Sequence, residues 1–164
     1  MSSNSLRLRP RADEDLSFLC ELYASTRIHE MSQTGWPQAA IDAFLAQQFQ
    51  AQHSYYQEHY QGADFSMICQ SGVPIGRLYV YRGPTTLNLI DIALLPQWRG
   101  QGIGSHYLAE LIREADDLHK AIRLFVEPSN PAVRLYKRMG FVVTDNNQVY
   151  LQMRREAMAQ ELPA

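Results

Sequence analysis

The chain has 164 residues, of which 46% are hydrophobic and 20% charged, and its formal net charge is −2. That length supports a full core, and the balanced charge excludes the basic field that draws a protein onto nucleic acid or anionic lipid. Residues 89–95 are among the longest apolar runs, too short for a bilayer and interrupted by Asp91, and residues 1–10 lack the apolar core of a secretory signal. The expectation is a cytoplasmic protein of one domain over residues 1–164, with a core of about 6–154 and a frayed tail at 155–164.

Residues 6–9 alternate apolar and polar, which predicts a short strand ending at Pro10. Asp13 is placed to cap a following helix with Leu16, Leu19, Cys20 and Tyr23 on its buried stripe. Residues 25–36 mix charge, Gly35 and Trp36, the composition of a loop or a broken helix. Pro37 suits the first turn of a second helix, in which Ile41, Phe44, Leu45, Gln48 and Phe49 keep helical spacing. Residues 47–61, rich in Gln and Tyr, are weakly amphipathic. This helical region is expected to cover one side of a sheet rather than fill the core.

From Asp64 the period changes to two. Residues 65–69 and 75–81 predict a hairpin about Ser71-Gly72, and after a turn at Gly83-Pro84 residues 86–95 form the next strand. Its near-continuous apolar run marks a central strand covered on both faces. Residues 102–119 predict a helix with Ile103, Tyr107, Leu108, Leu111, Ile112 and Leu118 on its apolar face. A strand at 122–126 then pairs in parallel through this crossover. Asn130 caps a short helix at 131–139 that begins at Pro131 and ends at Gly140. Residues 141–144 and 149–153 close the chain as a strand pair. The fold class is α/β, with a mixed sheet of about six to seven strands flanked by helices.

The junction after the central strand carries the most chemistry. Pro96-Gln97-Trp98-Arg99-Gly100-Gln101-Gly102-Ile103-Gly104-Ser105 is a proline stop, a glycine-rich turn and a helix start. Three alternate glycines strip side chains from a turn whose N–H groups converge on an anion, at the helix end whose dipole favours negative charge. Arg99 adds a planar guanidinium suited to phosphate. The spacing is neither Gly-x-Gly-x-x-Gly nor a Gly-Lys-Ser/Thr loop. The two cysteines, Cys20 and Cys69, sit in no C-x-x-C pair and read as buried free thiols. The five histidines show no metal-ligand spacing, so no metal is expected.

Arg99, Gly102 and Gly104 match the pattern Gln/Arg-x-x-Gly-x-Gly/Ala. Asn130, Val133 (or the adjacent Ala132), Leu135, Tyr136, Gly140 and Phe141 follow the pattern Asn-x-x-Ala/Val-x-x-Leu-Tyr-x-x-x-Gly-Phe, with one residue fewer between Asn130 and Leu135. Both motifs, in this order and on these elements, resemble those of the GNAT superfamily, the Gcn5-related N-acetyltransferases, over nearly the whole chain. The resemblance implies an acyl-CoA N-acyltransferase fold, acetyl-CoA as co-substrate, a small-molecule or peptide amine as acceptor, and direct attack in a ternary complex. It also implies that the N–H groups of Arg99, Gly100, Gln101, Gly102, Ile103, Gly104 and Ser105 hold the CoA pyrophosphate. Ile92, Ala93 and Leu94 would pair with the pantetheine arm, one N–H serving as an oxyanion donor, and Asn130 would reach the same arm. Tyr136 aligns with the tyrosine that protonates the departing thiolate. Dimerisation is common in the family, and a homodimer stays open here.

The base is not chosen by the resemblance. Asp91 interrupts an apolar strand beside the reaction centre, although strict alternation groups it with Leu89 and Ala93. Glu30 (base or acceptor contact) and Glu127 are the other carboxylates. Trp36, Tyr79 and Tyr81 are candidates to line an acceptor pocket. Two alternatives remain: a non-catalytic CoA-binding sensor or interaction module on the same fold, and an acyltransferase that uses another acyl group.

Overall fold

The computed structural model describes residues 5–158. Its elements are β1 (Leu6–Pro10), α1 (Leu16–Ser32), α2 (Gln38–His59), β2 (Asp64–Gln70), β3 (Val73–Arg82), β4 (Thr86–Leu94), α3 (Ile103–Asp117), β5 (Ala121–Val126), α4 (Ala132–Arg138), β6 (Val142–Asn146) and β7 (Leu151–Arg155). The strands form a mixed sheet in the order β1-β2-β3-β4-β5-β7-β6. β4 and β5 are parallel, as a helical crossover through α3 requires. The pairs β1–β2, β5–β7 and β6–β7 are antiparallel.

The chain divides into two compact units. One holds β1, α1, α2, β2, β3 as far as Tyr79, and Ile92–Gln101; the other holds Val80–Asp91 and the chain from Gly102 onward.

In the first unit, α1 and α2 supply Leu19, Leu22, Tyr23, Met31, Leu45 and Phe49 to a buried cluster completed by Met67 and Cys69 of β2. The two helices therefore build this core, where weak amphipathicity predicted only a cover. A few large side chains, shared between the two helices, carry the burial. Residues 25–32 are helical, against the expected loop or broken helix: α1 runs unbroken to Ser32, and the chain turns only at 33–37. Local polarity there reflects an exposed helix face, not a break.

The cap of α1 also differs from expectation. Asp13 opens a 3-10 turn, Asp13–Asp15, and lies outside the helix. Asp15 instead accepts two bonds from the Arg9 guanidinium, at 2.8 Å each, and one from the Ala12 N–H at 2.8 Å. These donors hold its carboxyl well below the usual range. Pro37 occupies the position just before α2 rather than its first turn. Both cysteines are free, Cys69 buried and Cys20 half-buried.

In the second unit, α3 buries Ile103, Tyr107, Leu108, Leu111 and Ala115. Ala121, Ile122, Leu124 and Val126 of β5 are buried as well. The tail corrects the expected fraying at its start. Arg155 closes β7 and is buried, its guanidinium donating to Asp116 at 2.8 and 3.2 Å and to the Met139 carbonyl at 3.0 Å. The Met158 N–H donates to Asp116 at 3.0 Å. Residues 159–164 of that tail lie outside the described residues.

Candidate active site

The parallel register of β4 and β5 runs from Thr86↔Ala121 to Leu89↔Leu124. β4 continues for five residues more, Ile90 to Leu94. In the first unit, Leu95 N–H donates to the Ile75 carbonyl at 2.9 Å. Beside it, β3 carries Gly76, where a Cβ would lie 2.3 Å from the Ala93 carbonyl oxygen and 2.7 Å from the Leu94 side chain. Only glycine lets this end of β4 approach so closely. An isolated glycine within a strand pattern signals a close backbone approach, and that is the sequence signal Gly76 carries.

After β4, a 3-10 turn at Pro96–Trp98 leads into the glycine turn. Gln101 Nε2 donates to the Gln97 carbonyl at 2.9 Å. Arg99 Nε donates to the Leu94 carbonyl at 3.0 Å, and Nη2 reaches Ser25 Oγ at 3.5 Å. The guanidinium proposed for phosphate thus also braces the end of β4 against α1, and two of its N–H groups are engaged.

Gly102 caps α3 with φ +83°, the left-handed region that favours glycine. No side chain caps the helix, and the His106 N–H makes an intrahelical bond to the Gly102 carbonyl at 2.9 Å. The N–H groups of Ile103, Gly104 and Ser105 therefore stand at the first turn, where helices leave donors without intrahelical acceptors. Gly104 is the informative residue. Its φ lies outside the left-handed region, and a Cβ added there meets no atom within 4 Å. Neither backbone conformation nor protein packing calls for glycine in this helix, where it costs about 1 kcal/mol relative to alanine. A bare surface over the turn is what a bulky anion needs, so these residues fit a pyrophosphate.

In the second unit, Asn130 Oδ1 accepts the Ala132 N–H at 2.9 Å and so starts α4. Tyr136 lies one turn further on, buried, with its ring 5.7 Å from that of Phe141. Burial, and then the negative charge of Asp91, hold the Tyr136 phenol well above the usual tyrosine range. The fold thus brings Asp91 and Tyr136 within electrostatic reach of one another. On β4, buried Asn88 accepts from Arg123 Nε at 3.0 Å, while its own Nδ2 has no hydrogen-bond partner.

The remaining candidates are dispersed. Glu30, near the end of α1, pairs with Arg27 at 3.1 Å. Trp36 is exposed and meets Phe44 edge-on at 5.5 Å. Tyr79 does not line an open pocket. It is 1% exposed, packed edge-on against Phe65 at 4.9 Å with the Arg77 guanidinium 4.6 Å from its ring centre. Tyr81, two residues on in the second unit, is exposed. Glu127 is half-buried after β5, and its carbonyl accepts the Asn130 N–H at 3.0 Å. Among the described residues no helix is long and apolar enough to cross a membrane.

Solved structures share this fold. The PaiA N-acetyltransferase of Thermoplasma acidophilum, in complex with coenzyme A, superposes with a TM-score of 0.70 at 18% identity, over 93% of this chain and 99% of that one. An acetyltransferase from Thermus thermophilus gives 0.68 at 17% identity, over 95% and 99%. Arabidopsis thaliana Naa50, in complex with a bisubstrate analogue of CoA and a peptide, gives 0.62 at 17%, over 93% and 99%. No curated protein sequence matches this chain. The model of the acetyltransferase (GNAT) family matches residues 25–141, well over half of the sequence, and the chain belongs to that family.

Proposed function

We propose that the chain is an N-acetyltransferase that moves an acetyl group from acetyl-CoA to a primary amine by direct attack in a ternary complex. The observation that carries this is Gly104, a glycine at the first turn of α3 that neither its backbone conformation nor protein packing requires. The CoA pyrophosphate takes the N–H groups of Gly102, Ile103, Gly104 and Ser105, with Arg99 beside the turn. The pantetheine arm takes the backbone of Ile92, Ala93 and Leu94, where β4 extends past its register with β5. CoA-bound relatives of the same fold support the reading.

Acetyl-CoA supplies an acyl group activated as a thioester. The amine nitrogen forms the new N–C bond as the C–S bond breaks, and the sulfur leaves with the electron pair. Tyr136 keeps its proton throughout the neutral range and offers it to that sulfur. The ammonium first gives one proton to a carboxylate, for which Asp91 is our choice because its charge is already felt at Tyr136, and after the N–C bond forms the nitrogen loses a second proton that replaces the one Tyr136 gave to the sulfur. Neither cysteine lies in a sequence motif that activates a thiol for a covalent acetyl-enzyme. Release of free thiol from acetyl-CoA, followed across a panel of amines, tests the proposal. Amine-dependent release supports it; tight binding of CoA without release under any amine would instead make the chain a CoA-binding module.

A further inference from the structure

We infer that Arg155 is a positioning residue for Tyr136: it ties the end of α4 to α3, the helix that opens at the glycine turn, and so sets the proton donor relative to the cofactor; the inference rests on the acetyl-transfer reading above. All of these residues lie in the second unit. α4 has only seven residues, Ala132–Arg138. A helix this short is marginal alone, so tertiary anchors fix its place. Asn130 anchors its start, and Tyr136 lies in its last turn. The Tyr136 carbonyl accepts the N–H groups of Met139 at 3.1 Å and Phe141 at 3.0 Å. The buried Phe141 ring lies 5.7 Å from the Tyr136 ring. Residues 139–141 therefore hold Tyr136 by backbone and by ring together.

Arg155 of β7 holds that turn in place. Its Nε donates to the Met139 carbonyl at 3.0 Å. Its side chain lies against Gly140, whose φ is +99° and whose added Cβ would stand 3.3 Å from Nε and 3.6 Å from Cδ. The far side of the guanidinium donates to both Asp116 oxygens, at 2.8 and 3.2 Å. Asp116 sits in the last turn of α3, and α3 begins at Gly102. One side chain thus joins the helix that carries the glycine turn to the end of the helix that carries Tyr136.

Stability alone does not call for an arginine there. The Arg155 side chain is 10% exposed and that of Asp116 24%. Desolvating such a pair costs much of what the pair returns, and apolar residues of the same volume often serve stability as well or better. A fork on a carboxylate does what an apolar contact cannot: it fixes direction and distance. A second arginine fork on α3 gives the comparison. Arg82 of β3 donates to Glu114 at 2.6 and 2.9 Å, with side chains 39% and 31% exposed. That pair ties α3 to a strand and leaves α4 alone.

The test uses the full chain, acetyl-CoA and the best acceptor of the amine panel. Arg155→Lys keeps the charge without the fork, and Asp116→Asn weakens its anchor. Each is expected to lower kcat by about tenfold to a hundredfold, the range that a misplacement of about 1 Å costs, with acetyl-CoA affinity as in the parent. Glu114→Gln loses a comparable fork on the same helix and is expected to keep the parent kcat. Melting curves keep every assay below unfolding. In a Tyr136→Phe background, Arg155→Lys should lower kcat no further, because a positioning residue acts through the group it positions; a merely structural role would multiply the two losses. The ring signal of labelled Tyr136, read by NMR without acetyl-CoA, should move in Arg155→Lys and Asp116→Asn and stay in Glu114→Gln. Multiplied losses, an unchanged kcat in Arg155→Lys or an unmoved ring signal would overturn the inference and leave acetyl transfer standing. With no thiol released by any amine the acetyl-transfer reading fails, and the ring signal alone then decides: movement keeps the positioning, and none removes it.

Discussion

Gly76 and the Ala93 carbonyl meet so closely that a single added carbon on Gly76 would lie 2.3 Å from that oxygen. The contact is glycine against backbone, so no side chain can swing aside to relieve it. Gly76→Ala must displace the end of β4. The expected loss is about 1–3 kcal/mol of stability, the usual cost of overpacking, together with weaker acetyl-CoA affinity because Ile92, Ala93 and Leu94 move. Denaturant titration and calorimetry of the same sample check both effects.

Tyr136→Phe removes one hydroxyl from a buried ring. Turnover should fall by about a hundredfold or more, within the usual worth of a general acid, while acetyl-CoA affinity stays as in the parent. The raised pKa adds a pH prediction. An unfolded tyrosine ionises near 10, whereas folded Tyr136 ionises later. Its contribution to stability is full below about pH 10 and is lost as pH rises through the folded value. Alkaline unfolding of the parent and of Tyr136→Phe, compared by circular dichroism, reads that difference.

Asp91 acts on Tyr136 through charge. Asp91→Asn should therefore lower the Tyr136 pKa toward the ordinary tyrosine value without restoring it, because burial is the larger cause. Ring-labelled tyrosine followed by NMR across an alkaline titration measures the shift. An unchanged Tyr136 resonance profile would separate the two residues.

Asp116 accepts two bonds from Arg155 and one from the Met158 N–H, which hold its carboxyl below the usual range. A depressed folded pKa gives stability that is present above the ordinary value of about 3.9 and is lost as pH falls through the folded one. Asp116→Asn should cost about 1–3 kcal/mol at neutral pH, and the gap between parent and variant should close in acid. Urea midpoints at a series of pH values give both numbers.

Most of the architecture was legible because the strands and α3 carry strong periodic signals. Apolar alternation located the strands, and the run over Ile103, Tyr107, Leu108 and Leu111 located α3 within a residue or two. The reading failed where burial rests on few residues. α1 continues through a polar stretch because one side of it packs while the other faces solvent, and single-residue polarity does not separate these. Of the candidate site, the glycine turn and the Asn130 cap were legible because each carries a local geometric demand, whereas Tyr136 stood out only through the family motif around it. Gly76 was not legible, because its reason lies across the sheet at Ala93. The Asn88–Arg123 pair and the Arg99–Ser25 contact likewise join residues distant in sequence. Tyr79 read as an open-pocket residue because alternation reports which face of a strand a ring takes, not what covers that face.

The glycine turn as a pyrophosphate cradle is tested most directly by calorimetric titration of acetyl-CoA into the parent and into Gly104→Leu. Leucine is a better helix former than glycine by a large part of 1 kcal/mol, and its Cβ meets no protein atom. The account predicts saturable binding to the parent, none to the variant, and a variant melting temperature equal to or above that of the parent. Equal binding by both proteins, or no binding by the parent, would contradict it.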